Sequence, residues 1–355
     1  MLKRLYVDNF RCLVNFEVRF DRLNLLLGEN GSGKTAVFDV LRRLRMFLCK
    51  PSGPGVFEEK NITRWQTRKE QRFELETEFE AKTYVYKLSV GHSGQGVRVE
   101  SEDLSVDGQA ILAVEGDKVI HAGRPYANSN PTRGLGSILA FSGVGEKSPA
   151  APVFLRQLAR TLIVELNPWA MDAVGLHGQP TPEQFVSFYR HVLHGDHNIS
   201  PEFRRQLEPA IPNLSELDIS SADQTTQGLR VALRSGTATF DYTFDELSPG
   251  QRVLIALYFF VYGLKGGGYS LFIDEPENFL ALREIQPWLA ALEQEVGDGV
   301  EQAVLISHHP EIIDYLGAAQ GRWFSRPRGG PARVSPDAPE TGGLSLSETV
   351  ARGWE

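Results

Sequence analysis

The sequence is poor in cysteine and has no long apolar run. Cys12 and Cys49 are the two cysteines among 355 residues, which is too few for a disulfide framework and lacks the spacing of a metal site. We therefore expect both to be structural thiols. No segment approaches the roughly 20 apolar residues that cross a bilayer, and Met1 leads into a strand pattern and not a signal peptide. The sequence thus predicts a cytoplasmic protein with no membrane partner.

Positive charge and heptad repeats are also scarce. The net charge is −8 and the pI is about 5.6, which argues against a broadly basic protein that coats nucleic acid. Residues 42–45 and 64–69 are local basic runs, and the second contains Trp65. They leave DNA open as a partner, although such runs are more often solvated surface. Because no segment sustains heptads, we expect no long coiled coil.

The most informative segment that is present is GENGSGKT at residues 28–35. It fits the phosphate-loop pattern, and it lies between an apolar stretch at residues 23–27 and a helical segment. The glycines allow backbone N–H groups to surround an anion, Lys34 reaches the outer phosphates, and the Thr35 hydroxyl suits Mg²⁺. The pattern therefore predicts a triphosphate ligand. The alternative is an ordinary glycine-rich turn between a strand and a helix.

The segment LSPGQR at residues 247–252 predicts the start of a helix. Ser248 is a good N-cap, Pro249 suits the first helical position, and Gln251 completes a capping box. The N–H groups at this helix start point outward, which implies a second anion site. An ordinary well-capped helix is the alternative.

Two short apolar strands are predicted to end in side chains that suit nucleotide chemistry. Residues 269–277 have the pattern of a buried parallel strand that delivers Asp274 and Glu275 at its carboxyl end, where open α/β sheets bind ligands. Asp274 suits a Mg²⁺ shell, and Glu275 suits polarising an attacking water. Residues 303–310 form a second such strand, which ends in His308. The alternative is a solvated acid pair beside a common loop histidine.

Together, and in this order, these segments resemble the nucleotide-binding domain of an ABC-type ATPase. Residues 5–11 and 16–20 resemble the opening of the SMC/RecF branch and its small bacterial relatives, which include OLD-type and phage-defence AAA-type ATPases without a coiled coil. EPENFL at 275–280 and SHHPE at 307–311 are similar to the small RecF-like ATPases. The resemblance implies an α/β fold with a P-loop core, a mainly parallel sheet, an antiparallel β-lobe and a small helical lid.

The resemblance also implies how the site works. Two protomers would bind two ATP molecules head to tail, so that the phosphate loop of one copy faces Ser248 and Gly250 of the other. The implied catalytic residues are Lys34, Glu275 and His308, the last chosen over His309 because it lies two residues before the proline. The implied Mg²⁺ ligands are Thr35 and Asp274. The implied ATP-binding residues are Asn30, Gly31, Ser32, Gly33, Lys34, Thr35, Ser248, Gly250 and Gln251.

Alternating apolar residues and helix-start signals predict the domain order. Residues 73–79 and 84–90 alternate as half-buried antiparallel strands, and helices are expected after residues 181 and 200. The expected parts are an N-terminal lobe with the phosphate loop and the β-lobe (1–150), a helical insert (151–220), a C-terminal lobe (221–325) and a flexible tail (326–355). Within the first part, residues 128–152 are expected to be loop.

These patterns predict an ATP-hydrolysing dimerisation switch in DNA repair or in defence against foreign DNA. We expect a homodimer on ATP binding, with DNA or a separate nuclease or toxin subunit as further partners. Two alternatives stay open: the nucleotide-binding subunit of a membrane transporter, and a non-catalytic scaffold that binds ATP to dimerise. Gln157 is a weak candidate for the glutamine loop, and Arg11 is a weak candidate for a nucleotide contact.

Overall fold

The computed structural model describes residues 1–50, 53–94, 96–115, 118–121, 124–125, 137–139, 149–171, 181–194, 199, 201–219, 228–340 and 342–353. The chain divides into two units. Unit 1 comprises Met1–Thr161 and Leu316–Glu355, and unit 2 comprises Leu162–Tyr315.

The larger sheet of unit 1 is antiparallel and has eight strands in the order β2-β1-β4-β5-β6-β7-β8-β9. Phe73 and Leu75 on β4, and Tyr86 and Val90 on β5, are at most 1% exposed, while the glutamates between the β4 residues stay partly accessible. The alternation predicted for residues 73–79 and 84–90 is therefore confirmed in part: it holds at these positions, but Phe79 is only partly buried and Ser89 is buried between Leu88 and Val90. The strands are β1 (Leu2–Asp8), β2 (Phe16–Arg19), β4 (Glu70–Phe79), β5 (Lys82–Ser93), β6 (Gly96–Val106), β7 (Gln109–Glu115), β8 (Lys118–His121) and β9 (Arg124–Pro125).

Three further strands of unit 1 surround the start of its main helix. The strand β3 (Leu23–Gly28) is buried along its whole length and pairs in parallel with β16 (Gly321–Ser325), which pairs antiparallel with β17 (Arg333–Ser335). The chain then enters α1 (Lys34–Cys49), which buries an apolar stripe. The remaining described helices of unit 1 are α2 (Ala150–Ala159) and α8 (Leu346–Ala351).

Unit 2 contains a parallel strand pair and a separate antiparallel sheet. The strand β14 (Ser270–Asp274) runs parallel to β15 (Gln302–Ile306), with β10 (Thr161–Glu165) on the other side of β14. The antiparallel sheet contains β11 (Leu214–Ile219), β12 (Leu229–Ser235) and β13 (Ala238–Thr243). The helices are α3 (Phe185–His194), α4 (Pro201–Ala210), α5 (Pro249–Tyr258), α6 (Leu282–Glu295) and α7 (Pro310–Gln320), which continues into unit 1.

An aromatic cluster joins the helical insert of unit 2 to the end of α5. The helix α5 continues into a π-helical segment, Phe259–Gly263, that is buried on every side. The ring centroid of Phe259 lies 5.5 Å from that of Phe185 on α3 and 5.5 Å from that of Phe203 on α4. The predicted apolar face of the insert therefore packs on this segment, and the packing supports the helix whose other end begins at Ser248.

The C-terminal segment differs from the predicted flexible tail. The strand β17 lies within residues 326–343, and the N–H of fully buried Ala332 donates to the carbonyl oxygen of Cys12 at 2.9 Å. The local sequence has no periodicity, because this strand is specified by a partner far away in the sequence. Similarly, α2 begins inside the predicted loop at residues 128–152, most of which lies outside the described residues. The predicted domain boundaries stay predictions.

No described helix has both the length and the apolar character needed to span a bilayer.

Candidate functional site

The phosphate loop of unit 1 requires glycine at two positions. Gly28 has φ +134°, and a Cβ placed there would lie 2.1 Å from the carbonyl oxygen of Phe324 on the paired strand β16. Gly33 has φ +114° at the N-cap of α1, and a Cβ there would lie 3.1 Å from the Cys12 sulfur. A side chain at position 28 would push the loop away from β16, and one at position 33 would press against Cys12. Gly28 and Gly33, which the sequence pattern identified, are therefore each required for a different structural reason.

The start of α1 leaves hydrogen-bonding groups for a ligand. No side chain in the described part of the chain caps this helix, so its first N–H groups are not satisfied by a cap. Ser32 is 2% exposed, and its hydroxyl has no hydrogen-bond partner among the described residues. Lys34 is 5% exposed, and its Nζ donates to the carbonyl oxygens of Gly28 at 2.6 Å and Glu29 at 2.9 Å. These donors beside an uncapped positive helix end fit a phosphate chain.

Much of the positive charge in the two basic runs is already paired. Arg43 lies 3.2 Å from Asp39, Arg68 lies 3.0 Å from Asp8, and Lys69 lies 2.8 Å from Glu59. A guanidinium held by a carboxylate has less free charge for a DNA phosphate. These pairs weaken the DNA interpretation of both runs.

Arg11 and Gln157, the two weak candidates, occupy different settings. Arg11 is bound to α1, because its Nη2 lies 2.8 Å from Oδ2 of Asp39. Gln157 lies inside helix α2 and not in a loop. Neither observation identifies a nucleotide contact, so both assignments stay predictions.

In unit 2, the predicted capping box at the start of α5 is present. The Ser248 hydroxyl accepts the Gln251 backbone N–H at 3.3 Å, and the Gln251 side-chain oxygen accepts the Ser248 backbone N–H at 3.0 Å. Pro249 is the first helical residue. The same Gln251 oxygen accepts the Ser248 hydroxyl at 3.0 Å. Gln251 therefore caps its own helix, while Ser248 remains exposed.

Arg252 connects this helix start to two neighbouring segments, a role that the sequence patterns did not suggest. Its Nε donates to the carbonyl oxygen of Leu247 at 3.0 Å, and its Nη1 donates to that of Pro168 at 3.1 Å. Its Nη2 donates to the carbonyl oxygen of Asp245. One guanidinium thus holds the chain before α5 and the loop that follows β10.

The acid pair lies at the carboxyl end of β14, as predicted. Asp274 is in register with Ile306 of β15, and the Glu275 N–H donates to the Ile306 carbonyl oxygen at 2.8 Å. Glu275 has φ +49°, a conformation that is uncommon for a residue with a side chain. The Asn278 amide donates to Oε2 of Glu275 at 2.7 Å. The turn after β14 therefore holds the Glu275 carboxylate in one direction. The sequence patterns did not predict this contact of Asn278.

The two histidines after β15 have different environments. Nδ1 of His309 accepts the N–H of Glu311 at 3.3 Å, so His309 is tied to the first turn of α7. The side chain of His308 is exposed. Asp274, Glu275 and His308 thus follow adjacent parallel strands in unit 2. This exposure favours His308 as the ligand-facing histidine.

Glu277 is another residue whose role the sequence patterns did not suggest, and it bridges the ends of β14 and β15. Its Oε1 accepts the Ser307 hydroxyl at 2.6 Å and the His308 backbone N–H at 3.3 Å. Burial raises the pKa of this carboxyl, although the hydrogen bonds from Ser307 and His308 oppose the shift. The signal in the sequence was a second acid after the proline in EPE.

The described residues contain no cluster of three or more His, Cys, Asp or Glu side chains that would hold a metal by themselves. Mg²⁺ commonly takes one or two carboxylates and completes its shell with substrate phosphates and water. The donors Thr35 and Asp274 fit that pattern, but they lie in different units. The phosphate loop and Ser248 are likewise in different units, so the composite site stays a prediction.

A glycine loop between a buried strand and a helix, together with parallel strands that end in acids and a histidine, defines the class of P-loop ATPase folds. The AAA ATPase domain family matches residues 1–130. The SMC head in a crystal structure with the C-winged helix domain of ScpA is 14% identical, with a TM-score of 0.55, covering 94% of this chain and 97% of that chain.

The SMC head domain from Thermotoga maritima is 13% identical, with a TM-score of 0.48, covering 94% of this chain and 98% of that chain. A comparison with curated proteins found no match. The chain has the fold of an SMC-type ATPase head, which confirms the ABC/SMC resemblance that the sequence motifs predicted.

Proposed function

We propose that this protein is an ATP-hydrolysing switch of the SMC/RecF-like type, in which two copies close around ATP. The observation that carries the proposal is the start of α1, where, within the described ranges, no side chain caps the helix, the Ser32 hydroxyl has no hydrogen-bond partner and Lys34 is buried. Such a set of donors suits the charge of a triphosphate.

Each residue has a proposed role in hydrolysis. Lys34 offsets negative charge on the outer phosphates, Glu275 orients the attacking water, and His308 contacts the γ-phosphate. Thr35 and Asp274 would hold Mg²⁺, which would neutralise the charge that develops on the phosphates. In the closed pair, Ser248 and Gly250 of the second copy complete the pocket.

Exposed aromatic residues beside α5 support the proposed pairing. Trp169 is 68% exposed and Phe279 is 46% exposed, and their rings meet edge to face at 5.1 Å. A Cβ placed at Gly250 would lie 2.9 Å from the carbonyl oxygen of Phe279, so this aromatic pair adjoins the start of α5. Exposed aromatic side chains are enriched in protein interfaces. We propose that a second copy covers them.

The biological setting is proposed on the resemblance of EPENFL and SHHPE to small RecF-like ATPases. The switch would serve DNA repair or defence against foreign DNA and would act on a separate nuclease or toxin subunit. The transporter alternative would instead require a permease partner. Co-purification with a membrane permease would favour that alternative.

The test is the oligomeric state of a Glu275→Gln variant with ATP and Mg²⁺, measured by light scattering after size-exclusion chromatography. A copy that binds ATP and cannot hydrolyse it is expected to accumulate as a dimer. The double variant Glu275→Gln/Lys34→Ala is the control and is expected to stay monomeric. A Glu275→Gln protein that remains monomeric at saturating ATP would contradict the two-copy mechanism. Wild-type protein that dimerises but releases no phosphate, with or without DNA, would support the scaffold alternative.

A further inference from the structure

Glu277 connects two loops that each carry a proposed catalytic residue. It lies in the turn after β14, two residues beyond Glu275, and its side chain reaches the residues that follow β15. There its Oε1 accepts the Ser307 hydroxyl at 2.6 Å and the His308 N–H at 3.3 Å. The first of these bonds is short and involves a serine that is fully buried.

The same contact extends to a third residue. The Ser307 oxygen accepts the N–H of His309 at 3.0 Å while its hydroxyl proton is donated to Glu277. One carboxylate oxygen therefore constrains three consecutive residues, Ser307 to His309. Because the His308 backbone is held in this way, its exposed imidazole has a restricted range of directions.

The Glu277 carboxylate is less favourable than an apolar side chain if its role is packing alone. The second oxygen of Glu277, Oε2, is buried and has no hydrogen-bond partner among the described residues. A buried polar atom without a partner lowers the stability of the folded protein. An apolar side chain would fill the space without this cost, so the two hydrogen bonds that Oε1 accepts are the feature that requires an acceptor oxygen here.

We propose that Glu277 is a positioning residue that holds the Ser307–His308 main chain, so that the His308 imidazole stays at the strand edge where Asp274 and Glu275 end. This inference rests on the proposed ATPase function for its effect on turnover. It assigns no contact between Glu277 and the nucleotide. A lost carboxylate therefore acts on the chemical step through His308 and leaves ATP binding intact.

The experiment compares Glu277→Ala with Glu277→Gln, and Glu293→Ala serves as the control. Glu293 is also in unit 2, where its carboxylate accepts the Tyr315 hydroxyl at 2.6 Å. In Glu277→Ala, kcat should fall about 10- to 100-fold while KM changes less than about threefold, since misplacing a catalytic group by about 1 Å has effects of this size. Glu277→Gln should recover most of the turnover, because its amide oxygen accepts the same two hydrogen bonds.

Hydrogen exchange supplies a readout that does not depend on activity. The His308 amide should exchange faster in Glu277→Ala and at the wild-type rate in Glu277→Gln and Glu293→Ala. If Glu277→Ala does not fold, Ser307→Ala removes the stronger of the two bonds and should give the same loss of kcat with unchanged KM.

Three results would overturn the proposal. They are wild-type kcat in both Glu277→Ala and Ser307→Ala, a loss confined to KM, and glutamine no better than alanine. Failure of the proposed function is distinguishable, because wild-type protein would then release no phosphate. In that case the exchange rate of the His308 amide still decides whether Glu277 holds this main chain.

Discussion

Two helices of this protein begin at segments that were predicted to bind phosphate, and their N-termini are built in opposite ways. The helix α1 begins at a glycine with no side-chain cap, whereas α5 begins with a complete capping box between Ser248 and Gln251. No side chain of the described residues therefore competes with a ligand for the first N–H groups of α1. At the start of α5, the protein's own side chains use part of that capacity, so a phosphate there has to compete with Gln251 for the Ser248 hydroxyl.

The comparison suggests different roles for the two helix ends. An uncapped helix end costs stability, and an anion that binds to it offsets that cost. A capped end is stable by itself and suits a surface that meets ATP only when a second copy arrives.

Lys34→Ala should abolish function at the α1 end. Removing the buried cation should lower kcat/KM by about 1,000-fold or more, because each 1.4 kcal/mol of lost transition-state stabilisation is tenfold. Phosphate release measures the loss of turnover, and calorimetric titration with ATP measures the loss of binding. Lys60→Ala is the matched control, since the Lys60 side chain is 72% exposed and pairs with Glu58 at the surface. Equal activity of Lys34→Ala and Lys60→Ala would contradict the proposal that ATP binds at the start of α1.

Gly28→Ala should unfold or misfold the phosphate loop, whereas Gly31→Ala should be tolerated. Both glycines have positive φ, but a Cβ at Gly28 meets the carbonyl oxygen of Phe324 at 2.1 Å and one at Gly31 meets nothing within 4 Å. We expect a loss of about 3 kcal/mol or more for Gly28→Ala, where strain and a clash add, and about 1–2 kcal/mol for Gly31→Ala, where φ alone contributes. Urea unfolding measures both. Similar losses would mean that the clash is relieved by a small shift of β16.

Ser248→Ala and Gln251→Ala should separate capping from ligand binding at the α5 end. Each removes part of the capping box and should lower the free energy of unfolding by about 1 kcal/mol. Ser248→Ala should also prevent dimerisation of the Glu275→Gln protein with ATP. Gln251→Ala keeps the hydroxyl and should preserve that dimer. If Gln251→Ala loses the dimer to the same extent, then the intact helix start, and not the hydroxyl, is what the second copy recognises.

Local patterns in the sequence predicted much of the fold because they report on neighbouring residues. Alternation across β4 and β5, the apolar face of α3 and the cap of α5 each involve residues that are close in sequence. The same holds for the acids at the end of β14, since a buried strand that ends in charge is visible without knowing its partner.

Other features could not be predicted because they depend on partners far away in the sequence. The strand β17 forms only because β16 lies beside it, and the role of Arg252 depends on the carbonyl oxygen of Pro168. The sequence motif contains Glu277 and Asn278 but does not indicate their contacts. Their hydrogen bonds to Ser307 and Glu275 depend on the folded turn.

By itself, the sequence determined that this chain has a glycine-rich loop of the phosphate-loop pattern, a capped second helix, and two strands, one that ends at an acid pair and one that is followed by histidines. Those features follow from local conformational preferences and from periodic burial. Only the tertiary structure decided that Gly28 must lack a side chain, that His309 is tied to α7 while His308 is exposed, and that the partly buried Glu277 holds Ser307 and the His308 main chain. These properties arise from contacts between strands and loops that are close in space and distant along the chain, and no local preference encodes them.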